Sequence, residues 1–132
     1  MLWWQTASMR ITTADQAAAL LRPFFEGADE ERVAVLHLGP EREVIGLTRE
    51  SSGRRGDVEL AVGAIVASAL RLGAAAIIVA HNHPSGNPSP SADDLAATRK
   101  LAEAASAVGV RLVDHLVFAG EEHRSFAGLG LL

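Results

Sequence analysis

Residues 75–94 read AAIIVAHNHPSGNPSPSADD, and this stretch decides both the fold and the chemistry. Residues 75–80 are a short, continuous apolar run, the pattern of a strand buried on both faces of a sheet. His81, Asn82 and His83 follow at its C-terminal end. Residues i and i+2 of an extended chain point to the same side, so His81 and His83 present two imidazoles together while Asn82 points away. Open α/β sheets place ligands outside the carboxyl ends of their strands, which is where this pair falls. Two neutral imidazoles make a bidentate nitrogen site, and a catalytic zinc centre wants one more protein ligand and a position for water. Pro84, Pro88 and Pro90 stiffen the connection that follows, which lowers the entropy lost in folding it back over the histidines. Ser91 reads as a helix N-cap, and the first turn behind it holds Asp93 and Asp94, where the positive helix end favours an ionised carboxylate. Spacing alone leaves either aspartate as the third ligand, and Ser91 with Asp94 also has the spacing of a capping pair.

The rest of the chain arranges itself around this segment. Residues 91–108 have helical composition and period, with Gly109 as the stop, and residues 110–119 return to an extended pattern. Upstream, Thr13 and Gln16 have capping-box spacing and open a helix to about Arg22, ending near Pro23. Residues 32–38 and 43–48 alternate in two-residue period about a Gly39-Pro40 turn, a β-hairpin. A polar loop at 50–56 leads to Asp57, which can cap a helix through about Leu72, stopped by Gly73. Gly120, Gly128 and Gly130 break up the tail. The order αββαβαβ predicts a mixed sheet with helices on its faces, a single α/β sandwich.

Composition narrows the function. A chain of 132 residues with 48% apolar content is one domain's worth of core. The absence of cysteine removes disulfides, thiolate metal sites, Fe–S clusters and cysteine nucleophiles, and with them the Cys pair of the zinc deaminases. No HExxH stretch is present either. A net charge of −4 argues against a broad grip on phosphate backbone, and Arg54-Arg55 and Arg99-Lys100 read as exposed loop and helix charges, so nucleic acid is a disfavoured partner. Residues 1–10 carry Trp3 and Trp4, a core anchor or a contact patch, but neither a basic segment nor an apolar run of signal-peptide type. Residues 74–80 are far too short to cross a bilayer. A soluble cytoplasmic protein with no membrane association is expected, its oligomeric state open. Asp29, Glu30 and Glu31 form an acidic run that composition reads equally as a solvated loop, and His37 and His123 read as structural or surface residues.

The segment HNHPSGNPSPSADD, followed by Thr98-Arg99 and by Leu112-Val-Asp-His-Leu116, resembles the RadC family, a bacterial branch of the JAB/MPN (JAMM) metalloprotease superfamily. The likeness runs from about Glu31 to Phe126. The superfamily pattern is a glutamate on an early strand, then His-x-His-Pro, then Ser-x-x-Asp, which implies Glu31, His81, His83, Ser91 and Asp94. Its phase selects Asp94 over Asp93, and the strand residues Val35-Leu36-His37-Leu38 set the register that selects Glu31.

The resemblance implies an α-β-α sandwich around a mixed sheet, with cytidine-deaminase-like layering. It implies a single domain over residues 1–132 with a short N-terminal helical extension at about 1–28. It further implies a Zn2+ ion held by His81, His83, Asp94 and a water, with Glu31 as general base and Ser91 stabilising the oxyanion. The expected reaction is hydrolysis of a peptide or isopeptide bond in a peptide or protein substrate. Asp114 and His115 match a RadC-type pair. Adjacent strand residues face opposite sides, so one of them could reach a zinc histidine or both could serve as structural hydrogen-bonding groups.

Two other functions compete. MPN domains can be non-catalytic interaction scaffolds, although those usually lack the ligands retained here. Longer RadC-like proteins carry a DNA-associated helix-hairpin-helix region, and no such motif is visible in the residues ahead of Glu31. The letters HNH also spell a nuclease motif, but that motif spreads its residues over a ββα unit and does not run them contiguously.

Overall fold

The Thr13 capping box starts the first helix as its spacing predicts. The hydroxyl accepts from the Gln16 backbone N–H, and the Gln16 side chain reaches back to the cap, so two otherwise orphaned N–H groups are satisfied. The computed structural model describes residues 9–50 and 61–132. Helix α1 spans Ala14–Leu21 and runs into a short 3₁₀ turn, Arg22–Phe24, whose Pro23 has no N–H to offer a continuing α-helix. Strands β1 (Val33–Leu38) and β2 (Val44–Glu50) form the predicted hairpin. Helix α2 is Val62–Leu72, and Gly73 ends it at φ +70, a conformation that favours glycine. Ala61 stands at its N-cap without a side-chain cap bond, and the expected capping residue Asp57 lies outside the described residues, as do Arg54, Arg55, Trp3 and Trp4. Then come β3 (Ala76–Asn82), α3 (Ala92–Ala107), β4 (Arg111–Ala119) and β5 (Glu122–Ser125).

The five strands lie in the order β2-β1-β3-β4-β5. β1 is antiparallel to β2 and β3, β3 and β4 run parallel, and β5 folds back antiparallel on β4. The parallel pair requires a crossover, and α3 supplies it. One sheet face packs Ala34, Leu36, Ile78, Ala80, Leu116 and Phe118 against Ala17, Ala18 and Leu21 of α1. The other packs Val33, Val35, Ile77 and Val79 against Ile65 and Ala69 of α2 and Leu101 and Ala105 of α3. Two helices on one face and one on the other make the α-β-α sandwich expected, a JAB/MPN-like fold. No helix of the described residues is long and apolar enough to cross a membrane.

Two features depart from the sequence reading. The polar residues Glu122, His123, Arg124 and Ser125 form a strand where only a glycine-broken tail is expected. An edge strand packed on one side needs no apolar alternation, so nothing in its composition marks it. The second is a bulge in β4: Ile77 pairs with Leu112, but Ile78 pairs with Asp114, so Val113 is an extra residue. Beyond it the facing of β4 is reversed relative to a regular strand.

His37 is fully buried on β1, its Nε2 2.9 Å from Thr48 Oγ1 and its Nδ1 without a partner among the described residues. Burial, then the charge of Arg71, lowers its pKa from 6.5 to about 4. The unfolded chain therefore takes up a proton near pH 6.5 that the folded chain refuses until about pH 4. The contribution of neutral His37 is full above the upper value and disappears as pH falls through this window. Urea denaturation of the metal-free protein should show stability dropping from pH 7 to pH 4, with up to about 3 kcal/mol of the loss due to this group. His37→Gln should flatten that slope, and an unchanged slope would rule His37 out as its source.

Candidate metal centre

His81 is the sixth residue of β3 and His83 lies just past its end, so the strand reaches two residues beyond the apolar run that predicts it. Odd-numbered residues of β3 face the α2 and α3 side, where Ile77 and Val79 pack, and this directs His81 toward the start of α3. The loop from Pro84 to Pro90 turns at Gly86 (φ +90), whose N–H bonds the His83 carbonyl at 3.1 Å. It then returns to Ser91, which caps α3 through a complete capping box with Asp94. The Asp94 N–H donates to Ser91 Oγ at 3.0 Å, and the Ser91 N–H donates to Asp94 Oδ2 at 2.8 Å.

The same carboxylate meets both histidines. Asp94 Oδ2 is 3.1 Å from His83 Nε2, Asp94 Oδ1 is 3.3 Å from His81 Nε2, and the two Nε2 atoms are 3.0 Å apart. One ligand atom from each residue can be chosen so that all lie within 4.8 Å of one another, and His81, His83 and Asp94 thus form a group that could hold a metal ion. Asp93, the rival by spacing, is exposed, whereas Asp94 is buried. Burial by itself would raise the Asp94 pKa, but its contact with His81 and its hydrogen bonding with Ser91 outweigh it and hold the carboxyl well below the usual carboxylate range. Asp94 is thus ionised at neutral pH, as a metal ligand must be.

The histidine environment fits a cation. His83 Nδ1 is 2.8 Å from the Asn87 carbonyl oxygen, which only accepts, so Nδ1 carries a proton and a singly protonated ring turns its Nε2 lone pair toward Asp94. A ring lone pair and a carboxylate 3.1 Å apart repel unless positive charge lies between them. The donor set of two imidazoles and one carboxylate is the type that zinc takes in open, water-accepting sites.

Glu31 lies two residues ahead of β1, whose first residue, Val33, pairs with His81. Asn82 brackets it. The Asn82 carboxamide accepts from the Arg32 N–H at 2.6 Å and donates to the Glu30 carbonyl at 3.0 Å, holding the backbone on both sides of Glu31. Glu31 Oε2 is buried with no hydrogen-bond partner among the described residues. A buried carboxylate oxygen left unbonded is costly, and a water held beside a metal ion would satisfy it. Ser91 is exposed at the rim of the site.

The Asp114–His115 ambiguity is also resolved. Asp114 binds the start of the tail, accepting from the Ser125 hydroxyl at 2.5 Å and the Ala127 N–H at 3.0 Å. His115 reaches the centre: its Nε2 is 2.6 Å from His81 Nδ1 and its Nδ1 is 2.6 Å from Thr98 Oγ1. Full burial pushes the His115 pKa well below its ordinary value, so this ring is neutral. The sequence reading does not single out Thr98 as a functional residue. Its signal was its position one helical turn beyond Asp94 on the same helix face.

These features define an α/β domain whose parallel-strand crossover carries a group of two histidines and an aspartate suited to a metal ion. A family model described as the RadC-like JAB domain matches residues 11–131, and the chain belongs to the RadC family of the JAB/MPN superfamily. It is 36% identical to a UPF0758 protein of Salinibacter ruber over 128 residues, covering 97% of this chain and 55% of that protein. It is 41% identical to a UPF0758 protein of Bordetella avium over 102 residues, 77% of this chain and 45% of the relative. UPF0758 protein YfjY of Escherichia coli is 35% identical over 121 residues, 92% of this chain and 76% of the relative. The chain spans about half the length of the first two relatives.

Metal analysis of the protein after zinc loading and desalting should find one zinc per chain, and none in a His81→Ala, His83→Ala double variant. Full zinc retention in that variant would move the site elsewhere.

Proposed function

We propose that this chain is a zinc-dependent hydrolase of JAMM type that cleaves a peptide or isopeptide bond. One observation supports this reading above the others: next to a group of two imidazoles and a carboxylate that could hold a metal ion, Glu31, two residues ahead of β1, has a buried carboxylate oxygen with no hydrogen-bond partner among the described residues. A metal ion alone would leave that oxygen without a purpose, whereas hydrolysis needs a base there.

His81, His83 and Asp94 would hold the ion. Zinc in such a site supplies Lewis acidity and lowers the pKa of water from about 15.7 to about 7. Glu31 takes the proton of the attacking water and returns it to the departing amine, a transfer worth roughly 10²- to 10⁴-fold in rate. Ser91 donates to the negative oxygen that develops on the scissile carbonyl. Its Oγ accepts from the Asp94 N–H, so the hydroxyl is oriented by the helix cap while its own hydrogen remains available. Asn82 keeps the backbone flanking Glu31 from swinging away from the strand end.

A peptide-library cleavage screen with zinc-loaded protein tests the reading, with EDTA treatment expected to abolish turnover. Glu31→Gln should retain zinc and lose hydrolysis, and unchanged turnover would assign the base elsewhere. Ser91→Ala should lower kcat by about 10²- to 10³-fold and, through the lost cap, stability by about 1 kcal/mol. Absence of cleavage together with micromolar or tighter binding of duplex DNA at physiological salt would favour a nucleic-acid function instead.

A further inference from the structure

We propose that Thr98 and His115 are positioning residues that fix the tautomer of His81, keeping its Nε2 lone pair free for the metal ion. This rests on the metal-centre reading above. Thr98 Oγ1 lies 2.6 Å from the Asp94 carbonyl oxygen and 2.6 Å from His115 Nδ1. A carbonyl oxygen only accepts, so the single hydroxyl hydrogen goes to Asp94 and the ring nitrogen at Thr98 must donate. His115 Nδ1 therefore carries the ring proton. The ring is fully buried, and its nitrogens meet Thr98 and His81 and no carboxylate. Donating at Nδ1, it accepts at Nε2, and the hydrogen in the 2.6 Å contact belongs to His81 Nδ1. His81 Nε2 is left unprotonated, 3.3 Å from Asp94 Oδ1.

The chain of bonds begins and ends beside the same residue. It starts at the backbone carbonyl of Asp94 and passes through Thr98 and His115 to His81, whose unprotonated Nε2 faces the Asp94 carboxylate. One residue thus offers a ligand oxygen and, through its main chain, orients its co-ligand. Two local features make this possible. Thr98 sits one turn beyond Asp94 on the buried face of α3, and the extra residue at Val113 puts His115 on the α3 side of the sheet, with Val79 and His81. His83 needs no such chain, because the Asn87 carbonyl does the same for it directly. Ring partners of this kind set ligand orientation and basicity at metal centres, and their loss typically costs about 10- to 100-fold in metal affinity.

Long-range ¹H–¹⁵N correlation of the zinc-loaded protein at neutral pH reads the tautomers directly. The expected result is a proton on Nδ1 of His81 and a single ring proton on Nδ1 of His115, with His115 Nε2 bare. A proton on His115 Nε2 would overturn the inference. Zinc affinity by chelator competition should fall about 10- to 100-fold in Thr98→Val and stay close to wild type in Thr98→Ser, which restores the hydroxyl. A Thr98→Val protein that binds as tightly as wild type overturns the inference while the metal centre stands. Should Thr98→Val fail to fold, the wild-type spectrum still decides. Wild-type protein that takes up no zinc overturns the metal-centre reading and this inference together.

Discussion

The carboxylate of Asp94 is the point on which the structure turns. Through Oδ2 it closes the capping box of α3 with Ser91, and through Oδ1 and that same Oδ2 it meets the imidazoles of His81 and His83. The seating of α3 on the sheet and the geometry of the site are therefore one fact. The positive end of α3 and the Ser91 N–H stabilise the ionised form, so the ligand charge is provided by fold-making interactions. A cap of this kind is worth about 1 kcal/mol on its own. Here it also spares a cost, since a buried carboxylate without partners would be severely destabilising.

The two faces of the sheet divide the labour. On the α1 face the clustered sheet residues are apolar and bury Leu21, Ala17 and their neighbours. His37, His81 and His115 all lie on the opposite face, under α2 and α3, where the hydrophobic cluster is interrupted by imidazoles. Buried polar groups on a packed face must bond to one another. His37 finds Thr48, and the other two find each other and Thr98. The bulge at Val113 determines this grouping: in a regular β4, the residue facing with Leu112 would be Asp114, and His115 would point into the apolar layer around α1.

The readable parts of the sequence were those where a local rule coincides with the tertiary demand. The capping boxes at Thr13 and Ser91, the stops at Gly73 and Gly109, and the apolar run before His81 each belong to short-range physics, and the elements form where that physics places them. What local rules leave open is settled by register. Whether Asp93 or Asp94 faces the histidines depends on how the α3 cap docks on a strand end eleven residues earlier, and which residue of the Asp29-Glu30-Glu31 run buries a carboxylate oxygen depends on contacts between segments about fifty residues apart. The family pattern points to Asp94, which the structure brings to the two histidines, and to Glu31, one of whose oxygens is buried. β5 had no local signature because its stability comes from pairing with β4 and not from its own side chains.

Asn82 makes the same point in reverse. At the strand end it projects away from the two imidazoles, which by itself suggests a spectator between two histidines. Its carboxamide instead spends one acceptor and one donor on the main chain of another strand's entrance, at Arg32 and Glu30. A single buried side chain thus transmits the position of β3 to the residue between those two bonds. Any shift of the histidines relative to β1 would have to break one of them, at about 1 to 3 kcal/mol for a buried group left unsatisfied. The backbone on either side of Glu31 is therefore held to the end of β3 by hydrogen bonds that do not involve the imidazoles, and the middle residue of His-x-His is a structural link between that strand end and the segment carrying Glu31.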